Sequence, residues 1–109
     1  RWNGGGRHAY YEFGVEHKDR CHPTQKPESL MAAIVSDFTD SAETILDPFA
    51  GSGTTGVACI RTGRKSILIE LEPKYCAIIV ERMERELSQP CLPTMAPEAK
   101  PQPMELAIA

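Results

Sequence analysis

The chain has 109 residues and a formal net charge of −3, and 41% of its residues are hydrophobic. This length limits the chain to one domain with a small core. The acidic balance excludes a strongly basic surface for nucleic acid. No apolar run is long enough to predict a transmembrane helix or a signal peptide.

Residues 1–20 are predicted to be loop-rich. Three consecutive glycines favour a flexible turn, and residues 9–13 favour one short edge strand. Trp2, Tyr10 and Tyr11 could stack on bases. Aromatic side chains in such a segment more often pack within the fold, which is the interpretation we prefer.

The first predicted helix covers residues 27–38. Pro27 suits the start of a helix, and Glu28 suits its positive end. The apolar positions recur at helical spacing: Leu30, Met31, Ile34, Val35 and Phe38. The segment His22-Pro23-Thr24-Gln25-Lys26-Pro27 leads into this helix, so its polar side chains can converge on a carboxylate.

A strand over residues 44–47, a glycine-rich turn and a helix over residues 54–62 follow. The turn reads Asp47-Pro48-Phe49-Ala50-Gly51-Ser52-Gly53-Thr54-Thr55-Gly56. Ligands bind at such strand ends in open α/β sheets. The glycines fit the G-x-G-x-x-G spacing, and Glu70, ending a strand over residues 65–70, lies near the offset of a ribose-binding acid.

The charge of Asp47 distinguishes between the possible ligands. In a partly desolvated crevice its carboxylate would repel a pyrophosphate and attract a cation. S-adenosylmethionine has an amino group and a sulfonium, has no phosphate, and shares the adenosine that Glu70 could bind. The residues therefore favour a methyl-donor pocket.

Three rival interpretations use the same glycines. A P-loop needs Lys and Ser/Thr where Val57 and Ala58 stand, and a nicotinamide fingerprint does not account for Asp47. The turn could also be purely structural, because such turns occur without ligands.

The third predicted helix covers residues 73–88. Tyr75, Ile79, Met83 and Leu87 are spaced by four, which favours a cover for one face of the sheet. The pairs Glu81–Arg85 and Arg82–Glu86 are expected on its outer face. Five prolines and no periodic apolar pattern then predict a flexible tail over residues 89–109.

The four cysteines show no C-x-x-C spacing and favour reduced thiols in a cytoplasmic protein. His17, Cys21 and His22 fit no standard metal-ligand pattern, so we predict no metal site. The cluster of Arg61, Arg64 and Lys65 is interpreted as a solvated turn rather than a DNA contact.

Together, the segment from His22 to Pro27 and the turn from Asp47 to Thr55 resemble the permuted (beta-class) site-specific DNA amino-methyltransferases. That family methylates the exocyclic amino group of adenine (N6) or cytosine (N4). The resemblance covers residues 21–88. It implies an α/β, partial Rossmann-like S-adenosylmethionine-dependent methyltransferase fold with an incomplete doubly wound sheet, and S-adenosylmethionine as the cofactor.

The resemblance also implies roles for individual residues. Glu70 matches the ribose-binding acid, Leu71 would lie against the adenine ring, and Phe49 would line the same pocket. The amides of the glycine turn would approach the donor closely. The expected donor-binding residues are His22, Thr24, Gln25, Lys26, Asp47, Phe49, Gly51, Ser52, Gly53, Thr54, Glu70 and Leu71.

The chain departs from this family at the catalytic motif, Asp/Asn/Ser-Pro-Pro-Tyr/Phe. No such tetrapeptide occurs, since the single Asp-Pro is Asp47-Pro48 in the turn. No catalytic residue is therefore assigned. We expect residues 21–88 to be the donor-binding part, 1–20 a link from a missing upstream catalytic and recognition region, and 89–109 the tail.

Double-stranded DNA is expected to bind through that missing region, with no membrane contact. Unpaired sheet edges could allow self-association. Two alternatives stay open: a non-catalytic remnant that only binds S-adenosylmethionine or a partner chain, and a fragment of a nicotinamide-dependent oxidoreductase.

Overall fold

The computed structural model describes residues 2–6, 10–12, 25–89 and 105–108, the last of these as backbone alone. The elements, in chain order, are α1 (Glu28–Phe38), β1 (Thr44–Asp47), α2 (Thr54–Thr62), β2 (Lys65–Glu70), α3 (Pro73–Ser88) and β3 (Glu105–Ile108). The first five agree with the prediction, except that Pro27 caps α1 instead of starting it. The α/β class is confirmed.

The third strand, β3, is absent from the sequence-based prediction. It pairs in parallel with β2, which gives a sheet of order β1-β2-β3. A flexible tail is therefore the wrong prediction for residues 105–108. A four-residue strand is too short to show a period, and its pairing depends on a partner distant in sequence. The rest of the predicted tail beyond residue 89 lies outside the described residues.

Helix α2 lies at the centre of the core, and its residues 54–59 are all buried. One hydrophobic cluster joins α2 to α1 and β1: Val35, Ala58 and Cys59, with Met31, Ala32 and Ile45 packed against them. A second cluster joins α2 to β2 and α3: Ala50, Val57, Leu68, Ile79 and Met83. The close fit of α2 fixes the position of its amino terminus.

The helices cover one face of the sheet. Asp47 pairs in register with Leu68, whose side chain is fully buried under α2 and α3. Leu46 points to the opposite face, because side chains alternate along a strand, and it is 59% exposed. Within the described residues the helices therefore cover one side of the sheet.

Neither of the two ion pairs predicted within α3 is among the salt bridges of the described residues. Arg82 is only 6% exposed, and it donates to Glu28 and Ser52 rather than to Glu86. Glu86 instead accepts two hydrogen bonds from Arg61. A spacing of four identifies neighbours on one helix, but it does not show which groups from other elements compete for them.

The amino-terminal aromatic residues partly confirm the packing prediction. The Trp2 ring centroid lies 5.3 Å from that of Phe38 at the end of α1. The Tyr11 hydroxyl donates to Asp37 Oδ2 at 2.8 Å, whereas Tyr10 is 75% exposed. The three described residues of the predicted edge strand are not in a strand.

The predicted solvated turn around Gly63 is more ordered than expected. Arg64 donates to the Thr39 carbonyl at 2.7 Å and also to the Thr62 carbonyl. This arginine therefore braces the turn from inside the fold. None of the helices in the described part of the chain is long and apolar enough to cross a membrane.

Candidate functional site

An open pocket lies beyond the carboxyl ends of β1 and β2, beside the start of α2. Its lining residues are Gln25, Lys26, Asp47, Phe49, Ala50, Gly51, Ser52, Thr54, Thr55 and Glu70. Eight of the twelve predicted site residues are therefore brought together. Gly53 and Leu71 do not line the pocket, and His22 and Thr24 lie outside the described residues. We call residues 48–53 the glycine loop and residues 25–27 the α1 entrance.

The conformation of the glycine loop depends on two left-handed residues. Gly51 has φ = 56° and Gly53 has φ = 83°, a region that residues with a Cβ adopt only with strain. A Cβ at Gly53 would also lie 3.0 Å from Ile79 Cγ1 in α3. The loop therefore turns sharply enough for α2 to begin directly under the pocket.

The third glycine of the motif allows close packing. A Cβ on Gly56 would lie 2.6 Å from Leu68 Cδ1 and 2.8 Å from Met83 Sδ, both on fully buried side chains. Only glycine lets α2 approach β2 and α3 this closely. The G-x-G-x-x-G pattern thus has a structural role that does not depend on the ligand.

Protein acceptors occupy much of the loop's donor capacity. Four loop amides donate within the chain: Phe49 to Asp47 Oδ1 (3.0 Å), Ala50 to the Ile69 carbonyl (2.9 Å), Gly51 to Glu70 Oε2 (2.8 Å) and Gly53 to the Ala50 carbonyl (2.9 Å). A phosphate-binding loop directs such amides at its ligand. In this structure the Gly51 and Gly53 amides have protein acceptors, and their expected close approach to the donor stays a prediction.

Asp47 ends β1 with its carboxylate in the pocket wall. Its Oδ2 accepts a hydrogen bond of 2.6 Å from Thr55 Oγ1, and its Oδ1 accepts the Phe49 amide. Thr55 is buried, so it fixes the orientation of the carboxylate. Thr55 was not among the predicted site residues. Its place as the second residue of α2, beneath the strand end, is the signal that could have identified it.

Glu70 occupies the corresponding place at the end of β2. Its Oε2 accepts the Gly51 amide, and its Oε1 accepts the Glu72 amide at 2.9 Å. Each carboxylate oxygen can accept a second hydrogen bond. Glu70 can therefore keep both backbone contacts and still accept two hydroxyl groups of a ligand.

The charges around the pocket are unequal. The lining contains the carboxylates of Asp47 and Glu70 and one cationic side chain, Lys26, which is exposed at the α1 entrance. The Phe49 ring is 89% exposed at the rim and offers an apolar surface to a flat ring. Leu71, predicted to contact adenine, is 70% exposed but lies outside the lining.

Arg82 lies outside the pocket lining and hydrogen-bonds to two segments beside the pocket. Its Nη1 donates to the Ser52 carbonyl at 2.6 Å and to Ser52 Oγ at 3.1 Å, while its Nη2 donates to Glu28 Oε1 at 2.6 Å. Glu28 Oε2 also accepts from Arg61, which in turn bonds Glu86. The Arg61 hydrogen bond lowers the pKa of Glu86, and the Glu86 hydrogen bond raises the pKa of Arg61.

Titratable groups elsewhere in the described residues are not arranged for metal binding. No group of three or more His, Cys, Asp or Glu side chains lies close enough to bind an ion there. Burial raises the pKa of Cys59 to about 11, so this thiol stays protonated at neutral pH. Cys59 therefore behaves as a small core residue.

Two curated relatives are methyltransferases. The Type II methyltransferase M2.DpnII of Streptococcus pneumoniae is 51% identical over 65 residues, which cover 60% of this chain and 24% of the relative. The Type II methyltransferase M2.LlaDCHI of Lactococcus lactis subsp. cremoris is 48% identical over 64 residues, covering 59% and 24%. The chain thus spans about a quarter of the length of these relatives.

Two solved structures share the fold. The complex of M1.HpyAVI with SAM matches with a TM-score of 0.64 and 37% identity, over 74% of this chain and 42% of that one. TTHA0409 from Thermus thermophilus, complexed with S-adenosyl-L-methionine, matches with a TM-score of 0.56 and 31% identity, over 76% and 29%. The prediction of a partial Rossmann-like methyltransferase fold is confirmed.

These matches favour neither the non-catalytic remnant nor the nicotinamide-dependent oxidoreductase. The sequence profile of the N6/N4 DNA methylases matches residues 5–81, which include the α1 entrance, the glycine loop and most of α3. That span is well over half of the chain, and the chain belongs to the DNA methylase family.

Proposed function

We propose that this chain is the donor-binding part of a site-specific DNA amino-methyltransferase of the permuted class. Residues 21–88 would bind S-adenosylmethionine, as the complexed relatives M1.HpyAVI and TTHA0409 do. The complete enzyme would act in the cytoplasm on the N6 of adenine or the N4 of cytosine. Family membership and the order of the two motifs support this proposal.

The observation that carries the proposal is the distribution of charge and of free donors in the pocket. Asp47 and Glu70 place two carboxylates where a ligand would lie, and four loop amides already donate to protein acceptors. A dinucleotide or nucleoside triphosphate needs the opposite arrangement, with free amides and few anions. A cationic nucleoside without phosphates fits the pocket better.

The proposed ligand contacts both sides of the pocket. Asp47 attracts the cationic end of the donor, and Glu70 accepts hydrogen bonds from the ribose hydroxyls. Lys26 and Gln25, together with His22 and Thr24, bind the methionine end, where the exposed ammonium of Lys26 pairs with the carboxylate. The Phe49 ring packs against the adenine.

The methyl-transfer chemistry requires groups beyond this pocket. In the complete enzyme the flipped base presents its amino nitrogen in line with the sulfonium methyl group. The nitrogen lone pair forms the new N–C bond while the C–S bond breaks, which leaves S-adenosylhomocysteine. The methylated nitrogen then releases one proton to water. The Asp/Asn/Ser-Pro-Pro-Tyr/Phe motif, which in that family accepts hydrogen bonds from the target amino group, is absent from this sequence. We therefore propose that DNA binding and catalysis reside in an upstream region.

Calorimetric titration of the 109-residue chain with S-adenosylmethionine and with NAD⁺ tests the proposal. We expect saturable binding of the methyl donor and at least about tenfold weaker binding of NAD⁺. Tighter binding of NAD⁺ would contradict the donor assignment. In a parallel assay with labelled donor and mixed-sequence DNA we expect no label on the DNA, and label above background would show that this chain carries a catalytic site of its own.

A further inference from the structure

Arg82 contacts both sides of the pocket although its own helix lines neither. The glycine loop presents the Ser52 carbonyl and hydroxyl to its Nη1, and the first residue of α1, Glu28, presents Oε1 to its Nη2. Glu28 directly follows the α1 entrance that carries Lys26. One guanidinium therefore joins the two segments that would contact opposite ends of a ligand.

The geometry of this contact differs from that of a surface ion pair. Arg82 is 6% exposed and Ser52 is 4% exposed, so water screens the contact little. The planar guanidinium makes short bonds in two fixed directions, which sets the angle between its partners. Arg61 donates to the second oxygen of Glu28 at 2.7 Å and prevents that carboxylate from swinging away.

The apolar packing of α1 lies along the body of the helix rather than at the α1 entrance. Met31, Ala32 and Val35 pack with Ala58 and Cys59 of α2, roughly one to two turns beyond the entrance. The glycine loop is tied to β2 through the Ala50 and Gly51 amides. Without Arg82 the two sides of the pocket would lose the buried hydrogen-bonded link that joins Ser52 to Glu28.

We propose that Arg82 is a positioning residue that sets the glycine loop and the α1 entrance at the separation at which they bind one methyl donor together. The proposal rests on the proposed function, since it concerns the same pocket. Arg82 does not touch the ligand. It pre-orders the two sides, so that Lys26 can act on a ligand already placed by Asp47 and Glu70.

A double-mutant cycle on the 109-residue chain tests this role. S-adenosylmethionine affinity is measured by calorimetry for wild type, Arg82→Met, Lys26→Met and the double variant. We expect Lys26→Met to weaken binding about threefold in the wild-type background, as an exposed ion pair does. In the Arg82→Met background it should have no effect, because the entrance no longer lies over the ligand.

Arg82→Met alone should weaken donor binding about tenfold. Arg85→Met, an exposed substitution on the same helix, should leave the affinity unchanged. If Arg82→Met does not give a folded circular dichroism spectrum, the cycle is run with Glu28→Gln, which weakens the same link from the α1 side. The loss of coupling to Lys26 should be the same.

Each outcome separates this inference from the proposed function. If wild type binds the donor and the Lys26 effect is equal in both backgrounds, Arg82 acts only on stability and the inference is overturned. If Arg85→Met weakens binding as much as Arg82→Met, the effect is one of net charge and the inference is again overturned. If wild type does not bind S-adenosylmethionine, the proposed function itself fails.

Discussion

The two sides of the pocket are built differently. On the glycine-loop side, Ser52, Thr54 and Thr55 are buried, and four loop amides have protein acceptors. On the α1-entrance side Lys26 is exposed, and α1 begins without a side-chain cap. A rigid side can select a ligand by shape and charge, whereas an exposed side adds affinity only if it is held in place.

The structure of the glycine-loop side depends first on close packing of α2. Gly56→Val would put a branched side chain where even a Cβ lies 2.6 Å from Leu68 Cδ1. We expect the free energy of unfolding in urea to fall by about 3 kcal/mol, because the buried neighbours cannot move aside. Gly6→Val is the control, since a Cβ there meets nothing within 4 Å and should change stability by about 0.5 kcal/mol or less. Equal losses for both variants would contradict the packing argument.

Ligand binding on the glycine-loop side depends next on Glu70. Glu70→Ala removes the acceptor of the Gly51 amide and the proposed ribose contact together. We expect donor affinity to fall about tenfold to a hundredfold, or roughly 1.5–3 kcal/mol. Glu72→Ala is a matched control, because Glu72 is exposed and makes no side-chain cap for α3. Calorimetry should show little change for Glu72→Ala, and similar losses for both would mean that the ribose contact is misplaced.

The smallest expected effect concerns the ion pair between Arg61 and Glu86, which lies next to Glu28 at the start of α1. Arg61 lowers the pKa of Glu86, so the pair stabilises the fold above the ordinary glutamate value of 4.5. That contribution disappears as pH falls through the lower folded-state pKa. Glu86→Gln should therefore reduce the difference in the free energy of unfolding between pH 7 and pH 3 by a few tenths of a kcal/mol to about 1 kcal/mol. Urea titrations at the two pH values measure this difference.

Glu84→Gln, an exposed substitution on the same helix, serves as the control for the pH measurement. The control should keep the wild-type dependence on pH. If Glu86→Gln keeps it as well, Arg61 and Glu86 do not form a stabilising pair in solution.

Local sequence signals account for most of the fold. Pro27, Pro73 and the glycine turn punctuate apolar patterns of clear period, so five elements were predicted nearly to the residue. Strand β3 was not predicted, because four residues after a proline-rich stretch are too few to show an alternation of apolar and polar side chains. Its residues also pair with residues of β2 that lie about 38 positions earlier in the chain.

Part of the candidate site was likewise predictable from sequence order, and part of it was not. Asp47 and Glu70 were predictable, because the chemistry of a strand end follows from sequence order. The bond from Arg82 to Ser52 joins residues 30 apart, and nothing in the helical pattern of α3 points to it. The acceptors of the Ala50 and Gly51 amides likewise depend on how β2 lies beside the loop.

We propose above all that the carboxylate charge at the end of β1 selects a cationic methyl donor. The most direct measurement is a pair of titrations, S-adenosylmethionine and NAD⁺, on wild type and Asp47→Asn. An asparagine can still accept the Phe49 amide, and the Thr55 hydroxyl can reverse to accept from its NH₂ group, so the turn should survive.

We predict that Asp47→Asn weakens donor binding at least about tenfold and slightly improves NAD⁺ binding, because the substitution removes attraction for one ligand and repulsion for the other. Unchanged affinity for S-adenosylmethionine, with an intact circular dichroism spectrum, would contradict the claim.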